Sequence, residues 1–330
     1  MPERPCLLTV HAHPDDESSK GAGSIARYHA LGARTVLVCC TGGEEGDVLN
    51  PAMDTPAVRE ILPVIRRQEL AAAAAVIGYD DVVLLGYRDS GMPGADANRH
   101  PDSFAMAPLD EAVGRLVGVL RRVRPQVVVT YPAEQRGYPH PDHLKVHEVT
   151  VAAFEAAGDP SRYPSAGSPY APQKLYYSAW SWRRMQAVHA KFLELGLASP
   201  FDEARLAEMA EGDHPVTTSI DVTGFQGVRR RALRAHATQV DPSSALWFGL
   251  PPEVEHAVHP YEDYFLARSL VGPLEGPEDD LFAGVGVAWP AGQVAPPVPA
   301  VPEWWRAEAP GRIAPLSDRR APRRAGLGTR

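Results

Sequence analysis

Cysteine is scarce: the chain carries only Cys6, Cys39 and Cys40, with no CxxC spacing. That excludes a disulfide-scaffolded secreted domain and a cysteine-built zinc site, and the three thiols read as buried and reduced. Long apolar stretches are also missing. No run reaches the ~18 residues that a membrane-spanning helix needs, so no membrane partner is expected. The opening MPERPCLLTV passes straight into an apolar strand, without a basic start or a small-residue cleavage site, which makes the cytoplasm the expected compartment. Nor is positive charge in excess. The 33 Lys and Arg stand against 41 Asp and Glu, a net charge of -8, so no nucleic-acid partner is expected. A small-molecule substrate remains as the default, and a homo-oligomer is compatible with the sequence.

What the chain does have, over 330 residues and at 44% hydrophobic content, is an alternation of short apolar runs and helical patterns. CLLTVHA (6–12) and RTVLVCCT (34–41) are rich in β-branched residues and read as buried strands. Between them residues 17–31 carry helical spacing that stops at Gly32. The pattern repeats with an Ala-rich helix over 55–77, the strand DVVLL (81–85), a helix over 109–123 and the strand QVVVTY (126–131). This is an α/β, Rossmann-like, mostly parallel sheet with helices on both faces and a smaller C-terminal layer. The expected division is a metal-binding catalytic core at 1–158, an α/β part at 159–271 that completes the substrate pocket, and a Pro-rich extension at 272–330. The extension reads as a flexible tail, with packing back onto the domain as the alternative.

Polar clusters follow four of these strands: HPDDE, TGGEEGD, YRDSGMP and YPHPDH. Ligands of such sheets lie beyond the carboxyl ends of the strands. A single HPDDE motif is explained by helix capping, with Asp15 or Asp16 as N-cap and Glu17 in the first turn. Two His-Pro-Asp motifs, each just past a strand, point instead to one shared metal site. Catalytic zinc takes three protein ligands and leaves one position for water, so HAHPDDE and YPHPDHLKVH together offer enough donors. His143 and His147 lie one helical turn apart and spacing alone leaves both open. His11, inside the strand, reads as a core histidine.

These residues resemble the de-N-acetylase superfamily of LmbE-like and PIG-L proteins, whose pattern pairs AHPDDE after the first strand with a later HPDH, here Ala12–Glu17 and His140–His143. The resemblance runs from about Cys6 to Leu270. Within the superfamily the chain is most similar to the mycothiol S-conjugate amidases, through HAHPDDESSKGA, LNPAMD, RDSGMP, GYPHPDH, KLYY and LRAHATQVDP. The resemblance implies zinc as cofactor, with iron(II) or another divalent metal as substitutes, held by His13, Asp16 and His143. It further implies Asp15 as general base, Tyr138 and His140 near the reacting carbonyl, and Asp142 as the group that orients a histidine; His147 is then structural.

On the substrate side, Lys20 on the first turn after the metal motif is within reach of a pocket and looks like the amidase subgroup. Arg66 and Asp89 match positions where relatives hold sugar and inositol hydroxyls, a task that suits a fork of donors and a carboxylate. Glu44, or its neighbour Glu45, is expected to line the same pocket, and His236 lies within reach of it. Against these stand plain readings as surface charges, turn formers and packed helix. The activity implied is hydrolysis of the amide in a thiol-sugar conjugate, giving a mercapturic acid and glucosaminyl-inositol, in detoxification or antibiotic biosynthesis. Two rivals stand beside it: deacetylation of N-acetylglucosaminyl-inositol or another N-acetyl sugar, and a sugar-binding metal protein without catalysis.

Overall fold

The run CLLTVH is buried at every residue and forms the first strand, β1 (Cys6–His11). The computed structural model describes residues 4–133, 138–210, 216–273 and 276–290. After β1 come α1 (Asp16–Ser19), α2 (Ala22–Ala30), β2 (Arg34–Thr41), α3 (Pro56–Glu60), α4 (Leu62–Ile77), β3 (Asp81–Tyr87), α5 (Leu109–Val123), β4 (Val127–Thr130) and α6 (Pro141–Ala156). The second half adds β5 (Lys174–Ala179), α7 (Trp182–Glu194), α8 (Glu203–Ala210), β6 (Thr218–Asp221), α9 (Gln226–Ala235), α10 (Ala245–Phe248), α11 (Pro252–Val258) and β7 (Tyr261–Ser269).

All seven strands form one sheet in the order β3-β2-β1-β4-β5-β7-β6. The first five are parallel, with Leu8 facing both Val36 and Val128, and β7 and β6 close the far edge antiparallel. The sheet is therefore mostly parallel with helices on both faces, as the alternating pattern implies. One apolar core packs α5 and α6 over Leu8, Val10, Val36 and Val38. The other packs α2, α4 and α9 over Leu7, Leu37 and Val129. The chain leaves β1 toward β3 and returns to β4 on its other side, so a crevice opens between the carboxyl ends of β1 and β4. Both HPD loops start there.

Three local departures have physical causes. The helix expected over 17–31 is two helices, broken at Lys20 and Gly21, where φ is 95° and a Cβ would stand 2.9 Å from the Tyr264 hydroxyl. The helix expected over 55–77 breaks at Ile61, because Pro63 has no N–H and its ring clashes with the preceding turn. Strands β6 and β7 were not expected at all. They carry Thr, Asp and Glu on buried positions, which hides the apolar signal of a strand. All three cysteines are buried and unpaired, and no helix among the described residues is long and apolar enough to cross a membrane.

Of the extension expected to start at residue 272, residues 276–290 pack back on the domain. Leu281 and Phe282 are buried, and Tyr28 donates its hydroxyl to Asp280 at 2.8 Å. Glu278 accepts from Lys174 at 2.5 Å and from the Tyr176 hydroxyl at 2.6 Å. Residues 291–330, on which the rest of the flexible-tail expectation falls, lie outside the described residues. Lys174 is 1% exposed, so losing its carboxylate strands a charge. Glu278→Ala is expected to lower the unfolding free energy by about 3 kcal/mol, read from urea denaturation, and an unchanged midpoint contradicts this pairing.

Candidate metal centre

His13 follows β1 directly and is held on three sides. Its Nε2 donates to Asp142 Oδ2 at 3.2 Å and lies 3.4 Å from Asp89 Oδ1. Its Nδ1 faces Asp16 Oδ2 at 3.7 Å. Asp16 Oδ2 in turn lies 3.4 Å from His143 Nε2, on the first turn of α6. His13, Asp16 and His143 thus present ligand atoms that all lie within 4.8 Å of one another, each on a buried residue. A second set, His13, Asp89, His140 and Asp142, overlaps the first through His13. Asp142 is better suited to gripping His13 than to ligation, because Ser90 donates its N–H to Oδ2 at 2.9 Å and its hydroxyl to Oδ1.

The donor chemistry fits a divalent cation. Asp16, Asp89 and Asp142 are at most 4% exposed, and buried carboxylates demand compensating positive charge. Burial pushes the His13 imidazole down, but its bonds to Asp142 and Asp89 prevail and hold it up at about 10. A proton kept there by surrounding carboxylates marks a place where a metal ion would substitute for it. With Nε2–H committed to Asp142, Nδ1 is the nitrogen left for the ion. Burial would also raise Asp16, yet Lys20, His143 and His13 keep it well below the carboxylate range.

Asp15 sits beside the cluster in a strained conformation. Its φ of 118° is unfavourable for any residue but glycine, at a cost of about 1–3 kcal/mol. As the first residue before α1 it makes no side-chain cap, so helix capping does not explain the motif. Instead its N–H is bonded to Glu17 Oε2 at 2.9 Å, and Glu17 Oε1 is paired with His236 Nε2 at 2.7 Å, both residues wholly buried. Arg66, 2% exposed on α4, donates to the carbonyls of Gly43 and Pro14 at 2.6 Å each and to Asp15 Oδ2 at 3.0 Å. Burial raises the Asp15 carboxyl, with Arg66 opposing.

The remaining residues singled out in the sequence gather at the same edge. His140 caps α6, its Nδ1 accepting the Asp142 N–H at 3.2 Å, which fixes the proton of the neutral ring on Nε2. Burial and the nearby His13 charge press His140 down to about 4, so the ring is neutral. Tyr138 is 46% exposed, its ring against those of His140 and His143, and partial burial with the nearby carboxylates pushes its hydroxyl up. Lys20 Nζ is bonded to Asp16 Oδ1 at 2.5 Å. Glu44 Oε2 accepts the Asp89 N–H at 2.9 Å, while Glu45 pairs with Arg88. His147 donates to the Tyr131 carbonyl at 2.9 Å and packs on Tyr177, outside both donor sets. His11 is buried and touches the Tyr131 hydroxyl at 3.3 Å.

Sequence reasoning missed Tyr131 and Ser90. The Tyr131 hydroxyl donates to Asp16 Oδ2 at 2.7 Å and accepts the Ala12 N–H at 2.7 Å, and its ring stacks on His143 at 4.7 Å. Its signal was a polar tip one residue beyond a wholly buried strand, at the switch point itself.

A parallel sheet with buried His and Asp donors at its carboxyl edge, and a strained carboxylate beside them, defines an α/β enzyme built for metal-assisted hydrolysis. The chain belongs to the PIG-L family, described as GlcNAc-PI de-N-acetylase, whose pattern matches residues 8–154. It is 43% identical over 287 residues to the mycothiol S-conjugate amidase of Streptomyces coelicolor, covering 84% of this chain and 97% of that protein. It is also 43% identical over 299 residues to the 1D-myo-inositol 2-acetamido-2-deoxy-alpha-D-glucopyranoside deacetylase of Streptomyces avermitilis, covering 86% and 98%. The fold is similar to that of N,N'-diacetylchitobiose deacetylase from Pyrococcus horikoshii, with a TM-score of 0.55 at 16% identity over 79% of this chain and 83% of that one.

Because Tyr131 holds the carboxylate of Asp16, one of the candidate metal donors, Tyr131→Phe is expected to weaken divalent-metal binding about tenfold. Competition against a chromogenic chelator measures it; affinity equal to that of the wild type contradicts the positioning.

Proposed function

We propose that the chain is a zinc-dependent amidase that cleaves the amide joining glucosaminyl-inositol to an S-substituted N-acetylcysteine, releasing a mercapturic acid and the amino sugar. The observation that carries this reading is the convergence of His13, Asp16 and His143 with Asp15 alongside, in a chain so similar over its length to a mycothiol S-conjugate amidase. In this reading residues 1–158 supply the metal donors and the base, and residues 159–271 complete the substrate pocket. The work is detoxification or a step of antibiotic biosynthesis, in the cytoplasm.

His13, Asp16 and His143 would hold the ion, and a bound zinc lowers the pKa of a water and polarises the amide oxygen. The same donors accept iron(II) or cobalt(II). Asp15, fixed by Arg66 and with its carboxyl raised by burial, takes a proton from the water and returns it to the leaving amine. The Nε2–H of neutral His140 and the hydroxyl of Tyr138 are the donors available to the developing oxyanion, where one hydrogen bond contributes roughly 3 kcal/mol. Asp142 orients His13. Arg66, Glu44 and Asp89 form the polyol side of the site, Arg66 from a buried position. Lys20, the residue that resembles the amidase subgroup, reaches the pocket beside Asp16.

The deciding experiment compares turnover of a mycothiol S-conjugate with that of N-acetylglucosaminyl-inositol by metal-loaded protein. Preference for the conjugate is expected, and preference for the acetylated sugar overturns the amidase reading in favour of deacetylation. Asp15→Asn is expected to lower kcat by about 10²–10⁴ while metal content stays at the wild-type level. Undiminished turnover removes Asp15 from its role as base. Chelation should abolish turnover, and zinc should restore it.

A further inference from the structure

Farther along the carboxyl edge of the sheet, past β5, β7 and β6, lies a chamber that the metal centre does not use. Its floor is Met185 and Phe192 of α7, and its walls are Trp180, just beyond β5, and Trp247 of α10. The two indoles meet edge to face at 5.6 Å. Arg184 and Arg229 also line it. Arg184 lies 5.4 Å from the Trp180 ring, and Arg229 lies 5.6 Å and 5.4 Å from Trp180 and Trp247.

The guanidinium groups at this chamber are unevenly paired. Glu255 accepts from both Arg229 and Arg230 at 2.6 Å each, so one carboxylate serves two guanidinium groups. Arg184 has no carboxylate partner among the described residues, and the buried Arg229 Nε has no acceptor. Glu262, the other acid in the wall, already accepts the N–H groups of Gly23 and Ser24 at 3.0 Å and 2.7 Å. Burial, and next the charge of Arg184, press Arg229 down to about 10 against the pull of Glu255 and Glu262, so an anion beside Arg184 would ease the contact between the two cations.

The chamber is attached to the metal loop. The Trp180 indole N–H donates to the Ser19 carbonyl at 3.3 Å, and Ser19 closes the one-turn helix that begins at Asp16. Strand spacing of ~4.8 Å places β5 about 10 Å from β1. The two flanks of the centre differ in chemistry. Glu44 and Asp89 follow β2 and β3 on one side; the indoles and Arg184 follow β5 on the other. A conjugate bound across the centre with its polyol on the first flank directs its sulfur to the second.

We propose that this chamber binds the group carried on the substrate's sulfur and selects an aromatic substituent bearing an anion. Indole faces supply apolar contact, and the guanidinium of Arg184 supplies the counter-charge. This inference rests on the amidase reading above. The test measures kcat/KM for S-methyl, S-benzyl and S-(4-carboxybenzyl) conjugates of the same cysteinyl glucosaminyl-inositol. The carboxybenzyl conjugate is expected to exceed the benzyl one about tenfold, mainly through KM. Arg184→Gln should collapse that ratio toward unity and Arg184→Lys should keep most of it; as a ratio within one variant, it cancels any shared loss of fold or chemistry. Trp247→Ala should lower the benzyl conjugate relative to the methyl one. Turnover of all three without discrimination, or a ratio untouched by Arg184→Gln, overturns the chamber's role alone. Absence of turnover for every conjugate overturns the amidase reading and this inference with it.

Discussion

Three carboxylates, Asp16, Asp89 and Asp142, are buried together where β1 and β4 part, and the rest of the site is arranged around that concentration of negative charge. Such a cluster is unstable without cations or donors. The protein supplies part of the answer itself: His13 stands among all three, Lys20 and Tyr131 reach Asp16, and Ser90 satisfies Asp142. A divalent ion held by His13, Asp16 and His143 would complete the balance. Glu17 and Arg66 belong to the same economy of buried charge, since they hold Asp15 in a backbone conformation it would not otherwise keep.

The fold makes this concentration affordable by topology rather than by local sequence. Parallel strands covered on both faces deliver their carboxyl ends to one edge, and the reversal of strand order opens a crevice there. The antiparallel pair β7 and β6 then extends the edge without closing it, adding a second wall of different character, aromatic and cationic where the first is acidic. A substrate with a polyol at one end and a thioether at the other matches that polarity.

Much of this was legible in the sequence where a residue's role is local. The helix over Leu109–Val123 follows from apolar periodicity and falls at the expected bounds. The paired HPD motifs pointed to one site because each follows a buried strand, and the structure brings their side chains together. What was illegible depends on partners distant in the chain. The break at Gly21 is set by Tyr264, the packing of the extension by Lys174 and Tyr28, and the role of Tyr131 by a carboxylate from the other loop. No periodicity announces such pairings, and β6 and β7 escaped notice because their buried faces carry polar residues that bond one another.

The most direct measurement of the central claim is an anomalous-difference map from crystals grown with cobalt(II). One peak per chain is predicted, bonded to His13 Nδ1, one oxygen of Asp16 and His143 Nε2, with solvent in a remaining position. A peak at other residues, or an ion that reaches only one of the two loops, contradicts it.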